Sequence, residues 1–165
     1  MEKKIHKILA CVDFSEYSLM VLEYAVELAK NSNTQIIVYN VINIRDVNEP
    51  TVVVPFSTII YSNTNDTEDY VKNLKKDRQT MIKSLINEHF FKEKSNMSFI
   101  IDLGVPYEQI LKTIDKENID LIVMANKGRG NISRFLFGSA AEKVFRHSPV
   151  PVVSVRDREK FKRKD

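Results

Sequence analysis

At 165 residues, 43% hydrophobic and 28% charged, the chain is long enough to close one hydrophobic core unaided, and its one cysteine, Cys11, excludes an internal disulfide framework. No apolar run approaches the ~20 residues that a bilayer span requires, so a membrane-spanning role is excluded at this level. The net charge of +3 resides in the tail: the last ten residues hold six Lys/Arg and three Asp/Glu, leaving nineteen of each sign before them, without the basic stripe expected of a nucleic-acid binder.

In chain order, the opening MEKKIHKILACVDF has a short apolar run and no small-residue cleavage site. No signal peptide is therefore expected, and a reducing, cytoplasmic compartment is the default. KILACVD (7–13) reads as a short strand ending in an acid. The stretch from Ser15 to Asn31 reads as a helix, with Ser15 as N-cap and Leu19, Leu22, Ala25, Val26 and Ala29 at helical spacing. TQIIVYNVIN (34–43) is nearly continuous in apolar or β-branched residues, which suits a strand buried on both faces.

Residues 44–66 carry two prolines and scattered β-branched residues and read as a long irregular connection. A helix from about Thr67 to Lys94 follows, with Tyr70, Leu74, Met81, Leu85 and Ile86 on one side. MSFIIDLG (97–104) is a third strand, PYEQILKTIDKEN (106–118) a helix with Pro106 in its first turn, and IDLIVMA (119–125) a fourth strand. SRFLFGSAAEKVFRHS (133–148) is helical. PVPVVSVR (149–156) is a last strand, placed by Pro149 and Pro151 at a sheet edge or beginning at the second proline.

Strands alternating with helices imply right-handed crossovers and a parallel sheet. The expectation is an α/β, Rossmann-like open five-stranded parallel sheet, order 3-2-1-4-5, with helices on both faces. It forms one domain over 1–156, followed by a basic tail, 157–165. In that order strands one and four are neighbours and flank the topological switch point, where ligands of open α/β sheets bind at the carboxyl ends of the strands. Asp13 ends strand one, and a glycine-rich stretch follows strand four.

That stretch, NKGRGNISRFLFGSAAEKV (126–144), holds Gly128, Gly130 and Gly138, three of the four glycines in the chain. It is not a P-loop, since no Gly-Lys-Ser/Thr occurs. It is not a full dinucleotide fingerprint, since Ser133 stands where the third glycine would be and the stretch follows the fourth strand rather than the first. Residues 124–156 do resemble the C-terminal signature of the universal stress protein family. Nucleotide-binding members of that family carry Gly, two residues, Gly, nine residues, then Gly-Ser or Gly-Thr. Gly128, nine residues, Gly138 and Ser139 fit, with Ala125 in place of the first glycine. KILACVDFSEYS is similar to the family's opening strand, and IIVYNVIN to its second, with Val41 where the family packs adenine. Residues 44–94 align loosely.

The resemblance implies a stress-response regulatory protein that binds ATP, with Mg²⁺ on the phosphates, as a homodimer through the last strand (150–156). It would act on an unidentified protein partner by nucleotide-dependent interaction, with slow ATP hydrolysis at most; the alternative is a dimeric interaction module of the same fold that binds no nucleotide. Cys11, Val12, Asp13, Val41 and Met124 would lie at base and ribose, though Cys11, Val12 and Met124 read equally well as core positions. Ala125, Lys127, Gly128, Arg129, Gly138, Ser139, Ala140 and Ala141 would surround the phosphates. Backbone N–H groups at such glycines can approach phosphate closely, whereas alanine at 125 resists positive φ. Catalytic signals are poor: His6, His89 and His147 have no metal spacing, and His147 suits the C-terminal turn of its helix. A phosphoryl-accepting receiver domain would need paired acids after strand one and an acid after strand three. Here strand one ends in a single acid, and Asp102 lies inside its strand.

Overall fold

A computed structural model describes residues 4–48, 64–126 and 138–157. Five parallel strands form one sheet in the order β3-β2-β1-β4-β5. They are β1 (Lys7–Cys11), β2 (Gln35–Asn43), β3 (Met97–Gly104), β4 (Leu121–Ala125) and β5 (Val152–Val155). The helices are α1 (Ser18–Ala29), α2 (Ile44–Asn48), α3 (Thr64–His89), α4 (Pro106–Glu117) and α5 (Ser139–His147). The predicted sheet order and the α/β class hold.

Side-chain alternation along the central strands builds two cores. Ile8, Ala10, Val12, Ile36, Val38, Leu121 and Val123 face α1 and α3. Leu9, Ile37, Tyr39, Ile122 and Met124 face α4 and α5. Ile8, Leu9, Val38 and Ile122 are completely buried, each such aliphatic side chain contributing roughly 1.5–3 kcal/mol. Continuous apolar strands of this kind need cover on both faces, and the helices supply it. Gly104, at φ 151°, turns β3 into α4, and Pro106 takes an opening position of that helix. Asn118, in the left-handed region at φ 54°, ends α4, and the Ile119 N–H returns to the Ile114 carbonyl at 2.9 Å.

The structure corrects several sequence expectations. Ser15 is not the N-cap of α1. The helix starts three residues later, because Asp13 Oδ1 accepts the Ser15 N–H and the Ser15 carbonyl accepts the Ser18 N–H, closing a turn first. Residues 44–48 are helical rather than irregular, and α3 begins at Thr64; 49–63 lie outside the described residues. On α3 the covered stripe is Ile82 and Ile86, continued by Phe90 just past the helix end and with Leu85 beside it, whereas Tyr70 and Met81 are exposed. Met81 is one residue, and so ~100° of helix rotation, off the i, i+4, i+8 line. The last strand begins after Pro151 and lies at the sheet edge, combining both readings of its prolines.

Candidate functional site

The carboxyl ends of β1, β2 and β4 converge where β1 is flanked by β2 and β4. Continuing past Cys11, the Val12 N–H donates to the Tyr39 carbonyl at 2.8 Å, and Asn40 Nδ2 donates to the Val12 carbonyl at 2.8 Å. Asp13 follows in a closed turn. Its Oδ1 accepts from the Ser15 N–H at 3.0 Å and the Ser18 hydroxyl at 3.3 Å, while its own N–H donates to Ser18 Oγ at 3.3 Å. Phe14, next in the chain, is held at φ 61°, a conformation that costs a bulky residue ~1–3 kcal/mol. The Arg78 guanidinium of α3 lies 4.9 Å from the centre of the Phe14 ring. Strain and a cation–π contact next to an acid mark a turn whose geometry is enforced.

The β4 end is built differently. Asn126, 4% exposed, gives its N–H to the Val155 carbonyl at 3.2 Å and accepts the Gly138 N–H on its own carbonyl at 2.8 Å. That bond joins the two residues bracketing 127–137 and sets the start of α5 beside the end of β4. Gly138 precedes α5 with no side-chain cap among the described residues, and the first intrahelical bond is Glu142 N–H to the Gly138 carbonyl at 3.0 Å. The N–H groups of Ser139, Ala140 and Ala141 have no partner among the described residues. First-turn N–H groups of this kind, with the positive end of the helix dipole, are what anions bind in proteins generally.

Of the candidates named from sequence, the described ones distribute as follows. Val41, Cys11 and Met124 lie on the face covered by α4 and α5, on adjacent strands; Met124 is buried and the other two are partly covered. Val12 is buried on the opposite face, a core position. Ala125 is the last residue of β4, paired with Val155, and its φ is not positive. Alanine therefore meets no backbone penalty there. Gly138, Ser139, Ala140 and Ala141 form the start of α5, with Ser139 exposed and Ala141 buried. Lys127, Gly128 and Arg129 lie outside the described residues, as do Gly130, Arg134 and the tail from 158.

Burial raises the Cys11 thiol to about 12, so it is an unreactive thiol at neutral pH. Burial likewise drives the Tyr39 hydroxyl well above its ordinary range; a hydrogen bond from Thr113 opposes this and the neighbouring Asp102 adds to it. Tyr39 therefore remains a donor, giving its proton to Asp102 Oδ2 at 2.7 Å. Thr113 Oγ1 of α4 lies 2.9 Å from the Tyr39 oxygen and 2.8 Å from the Gln109 carbonyl, its single proton serving one or the other.

Sequence reasoning missed Asn40, Asn126, Tyr39 and Arg78. Asn40 and Asn126 were legible in principle, as polar residues inside or just after buried apolar runs; each is buried with an unpartnered Oδ1. Arg78 had no signal, since its partner is 64 residues upstream. Among the described residues no group of three or more His, Cys, Asp or Glu could hold a metal ion, and no helix is long and apolar enough to cross a membrane. His147 occupies the last turn of α5.

The Universal stress protein family model matches residues 4–156. Universal stress protein MJ0577 of Methanocaldococcus jannaschii is 28% identical over 155 residues, covering 91% of this chain and 94% of the relative. The solved structure of MJ0577 superimposes with a TM-score of 0.76 at 23% identity, covering 93% of this chain and 97% of that one. The universal stress protein UspA of Lactobacillus plantarum gives 0.72 at 18% identity, over 94% of this chain and all of that one. A universal stress protein crystallised in complex with cAMP gives 0.58 at 18% identity, over 93% and 98%.

Proposed function

The chain belongs to the universal stress protein family, and from that premise we propose that it is a regulatory protein that binds ATP in the cleft at the carboxyl ends of β1, β2 and β4. The observation that carries this reading is the pairing of a fixed acid, Asp13, with the uncapped start of α5 across two adjacent strands. The α5 end offers N–H donors to phosphates. Asp13 offers an acceptor to ribose hydroxyls or the base, and Val41, Cys11 and Met124 form an apolar floor between them. That a protein of this fold has been crystallised with cAMP supports an adenine nucleotide as the ligand class.

Mg²⁺ would be carried by the phosphates, neutralising their charge at the α5 end. Lys127, Gly128 and Arg129 belong to the same proposal as phosphate contacts. No dedicated base is assigned, so occupancy rather than turnover would be the signal, read by a protein partner in the cytoplasm. A homodimer would form through residues 150–156: among the described residues β5 pairs with β4 alone, leaving the other side of the strand as a sheet edge.

Calorimetric titration with ATP and Mg²⁺ tests the reading, alongside native mass spectrometry of freshly purified protein for a retained nucleotide. Binding is expected at sub-millimolar concentration, and Asp13→Ala should weaken it by about 10- to 30-fold, the loss of a hydrogen bond to a charged group. Pyrophosphate binding should survive that substitution. Absence of ATP binding at about 1 mM would sink the proposal in favour of an interaction module that holds no nucleotide.

A further inference from the structure

Asp102 is set aside by the sequence because it lies inside a strand, yet its position in the sheet gives it a second reading. It pairs directly with Val41 across β2 and β3, so the two side chains share the face covered by α4 and α5. On the other side of Val41 stands Asp13, two residues past the Cys11–Tyr39 pair and therefore at the level of Val41 along the strands. Val41 is thus flanked by a carboxylate on each side. The N–H donors of the first turn of α5 lie beyond them, at the β4 end. Three strand spacings of ~4.8 Å separate β3 from β4, which puts the acceptor-rich and donor-rich ends of the cleft about 14 Å apart.

The Asp102 carboxylate is also held in place. The buried Tyr39 hydroxyl fixes Oδ2, and Thr113 of α4 backs Tyr39. Oδ1 accepts no hydrogen bond from the described residues, and Asp102 is only half-buried. A carboxylate with one oxygen tied down by a buried core tyrosine is a preorganised acceptor. It lies about 4.8 Å to the side of Val41, within reach of the edge of a purine laid on that residue. A phosphate at this end would meet two like charges, so the cleft has a fixed polarity.

Resting on the ATP-binding reading above, we infer that Asp102 is a specificity-determining residue, accepting a hydrogen bond from the exocyclic amino group of the base seated against Val41. The cleft then selects amino-bearing purine nucleotides over those with an oxo group or a hydrogen at the same position. The role differs from that of Asp13, whose carboxylate is engaged by Ser15 and Ser18 in the β1–α1 turn.

The test measures calorimetric affinities of full-length protein for ATP, inosine triphosphate and purine riboside triphosphate. Wild-type protein is expected to prefer ATP to purine riboside triphosphate by about tenfold or more. Asp102→Asn places an amide donor beside the base, keeps an acceptor for Tyr39 and preserves shape. It should lower ATP affinity, raise inosine triphosphate affinity, and cut their ratio by about tenfold. Tyr39→Phe should cut the same ratio by a smaller factor, because it frees the carboxylate without removing it. A merely structural Asp102 would move both affinities together and leave the ratio intact, which overturns the inference. Equal wild-type affinity for ATP and purine riboside triphosphate overturns it without any variant, and stands even if Asp102→Asn fails to fold. Wild-type protein that binds no nucleotide overturns the ATP-binding reading itself, and this inference with it.

Discussion

Two helix starts lie past the carboxyl ends of the neighbouring strands β1 and β4, on opposite faces of the sheet, and they are finished in opposite ways. At the β1–α1 turn the chain supplies its own carboxylate: Asp13 Oδ1 takes the Ser15 N–H and the Ser18 hydroxyl, and Ser15 Oγ takes the Tyr17 N–H. At the start of α5 nothing comparable exists among the described residues. Gly138 has no side chain to give, no other described side chain caps the helix, and the acid in its first turn, Glu142, is engaged with Arg146 at 2.9 Å. The first turn is closed around an acid; the second is left open with donors. On the reading proposed above, an anion belongs at the second and groups that can donate belong at the first. The comparison teaches that position at the carboxyl end of a parallel sheet is not enough to make a phosphate site; the chain must also withhold its own acceptors there.

The sharpest way to break the contrast is to give α5 the acid that α1 has. Ser139→Asp places a carboxylate in the first turn of α5 at an exposed position. As a helix substitution it is favourable, worth ~0.3–1 kcal/mol toward stability through the macrodipole. As a competitor for phosphate it should cost nucleotide affinity about 100-fold, equivalent to ~2.7 kcal/mol. Binding and stability then move in opposite directions, which thermal melts and titration of the same sample will register. Unchanged ATP affinity would mean that the phosphates do not sit at α5.

How much of this was legible before the structure depends on the range over which each signal acts. The strand order and the two-faced core were readable, because runs such as IIVYNV and LIVMA are apolar at consecutive positions and so need cover on both faces. The placement of Asp13 at a strand end was readable for the same local reason, whereas Gly138, read inside a helix over 133–148, precedes a helix that starts at Ser139. Element starts were less so: Ser15 looks like a cap, but the hydrogen bond from its N–H to Asp13 defers the helix to Ser18. Residues coupled across the sheet were not readable at all. Nothing in the sequence near Asp102 shows that Tyr39, 63 residues away, ties down one of its oxygens. Nor does anything near Phe14 show that Arg78 stacks on it. Ala125 carried a sequence-level doubt about positive φ that the extended backbone of β4 removes.

A smaller effect sharpens the closed side. Cys11 ends β1 just before the Asp13 turn, and burial raises its thiol from an ordinary 9.0 to about 12. The neutral form is therefore the one the fold accepts. Below about pH 8 both folded and unfolded chains keep the proton, and stability is unaffected. Between about 9 and 12 the unfolded chain has lost a proton that the folded chain retains, so stability falls as pH rises, by at most ~1.4 kcal/mol per pH unit. Denaturant midpoints at pH 8, 9.5 and 10.5 should decline more steeply for wild type than for Cys11→Ala. Other alkaline titrations are common to both proteins and cancel in the difference; Cys11 adds to the Tyr39 shift, but burial keeps that hydroxyl protonated in the folded state across this range. Parallel declines would mean that the thiol is as open to solvent in the folded protein as in the unfolded chain.

The smallest expected effect separates the closure of the β1 turn from the acid it presents. Ser18 is buried, and its hydroxyl both accepts the Asp13 N–H and donates to Asp13 Oδ1, each at 3.3 Å. Both contacts are long, so their removal belongs at the low end for a hydrogen bond, ~0.5–1 kcal/mol. For a chain of this size that corresponds to a fall in melting temperature of roughly 1–4 °C. Asp13 keeps the Ser15 N–H as a donor to Oδ1 in the Ser18→Ala variant, so the carboxylate stays near its place and ATP affinity should drop less than about threefold. The two halves of that outcome carry separate information. A melting change without a binding change assigns Ser18 to the turn and Asp13 to the ligand. A binding loss as large as that of Asp13→Ala would instead show that the acid works only while the whole turn is locked, so that the closed start of α1 is part of the recognition surface and not simply its support.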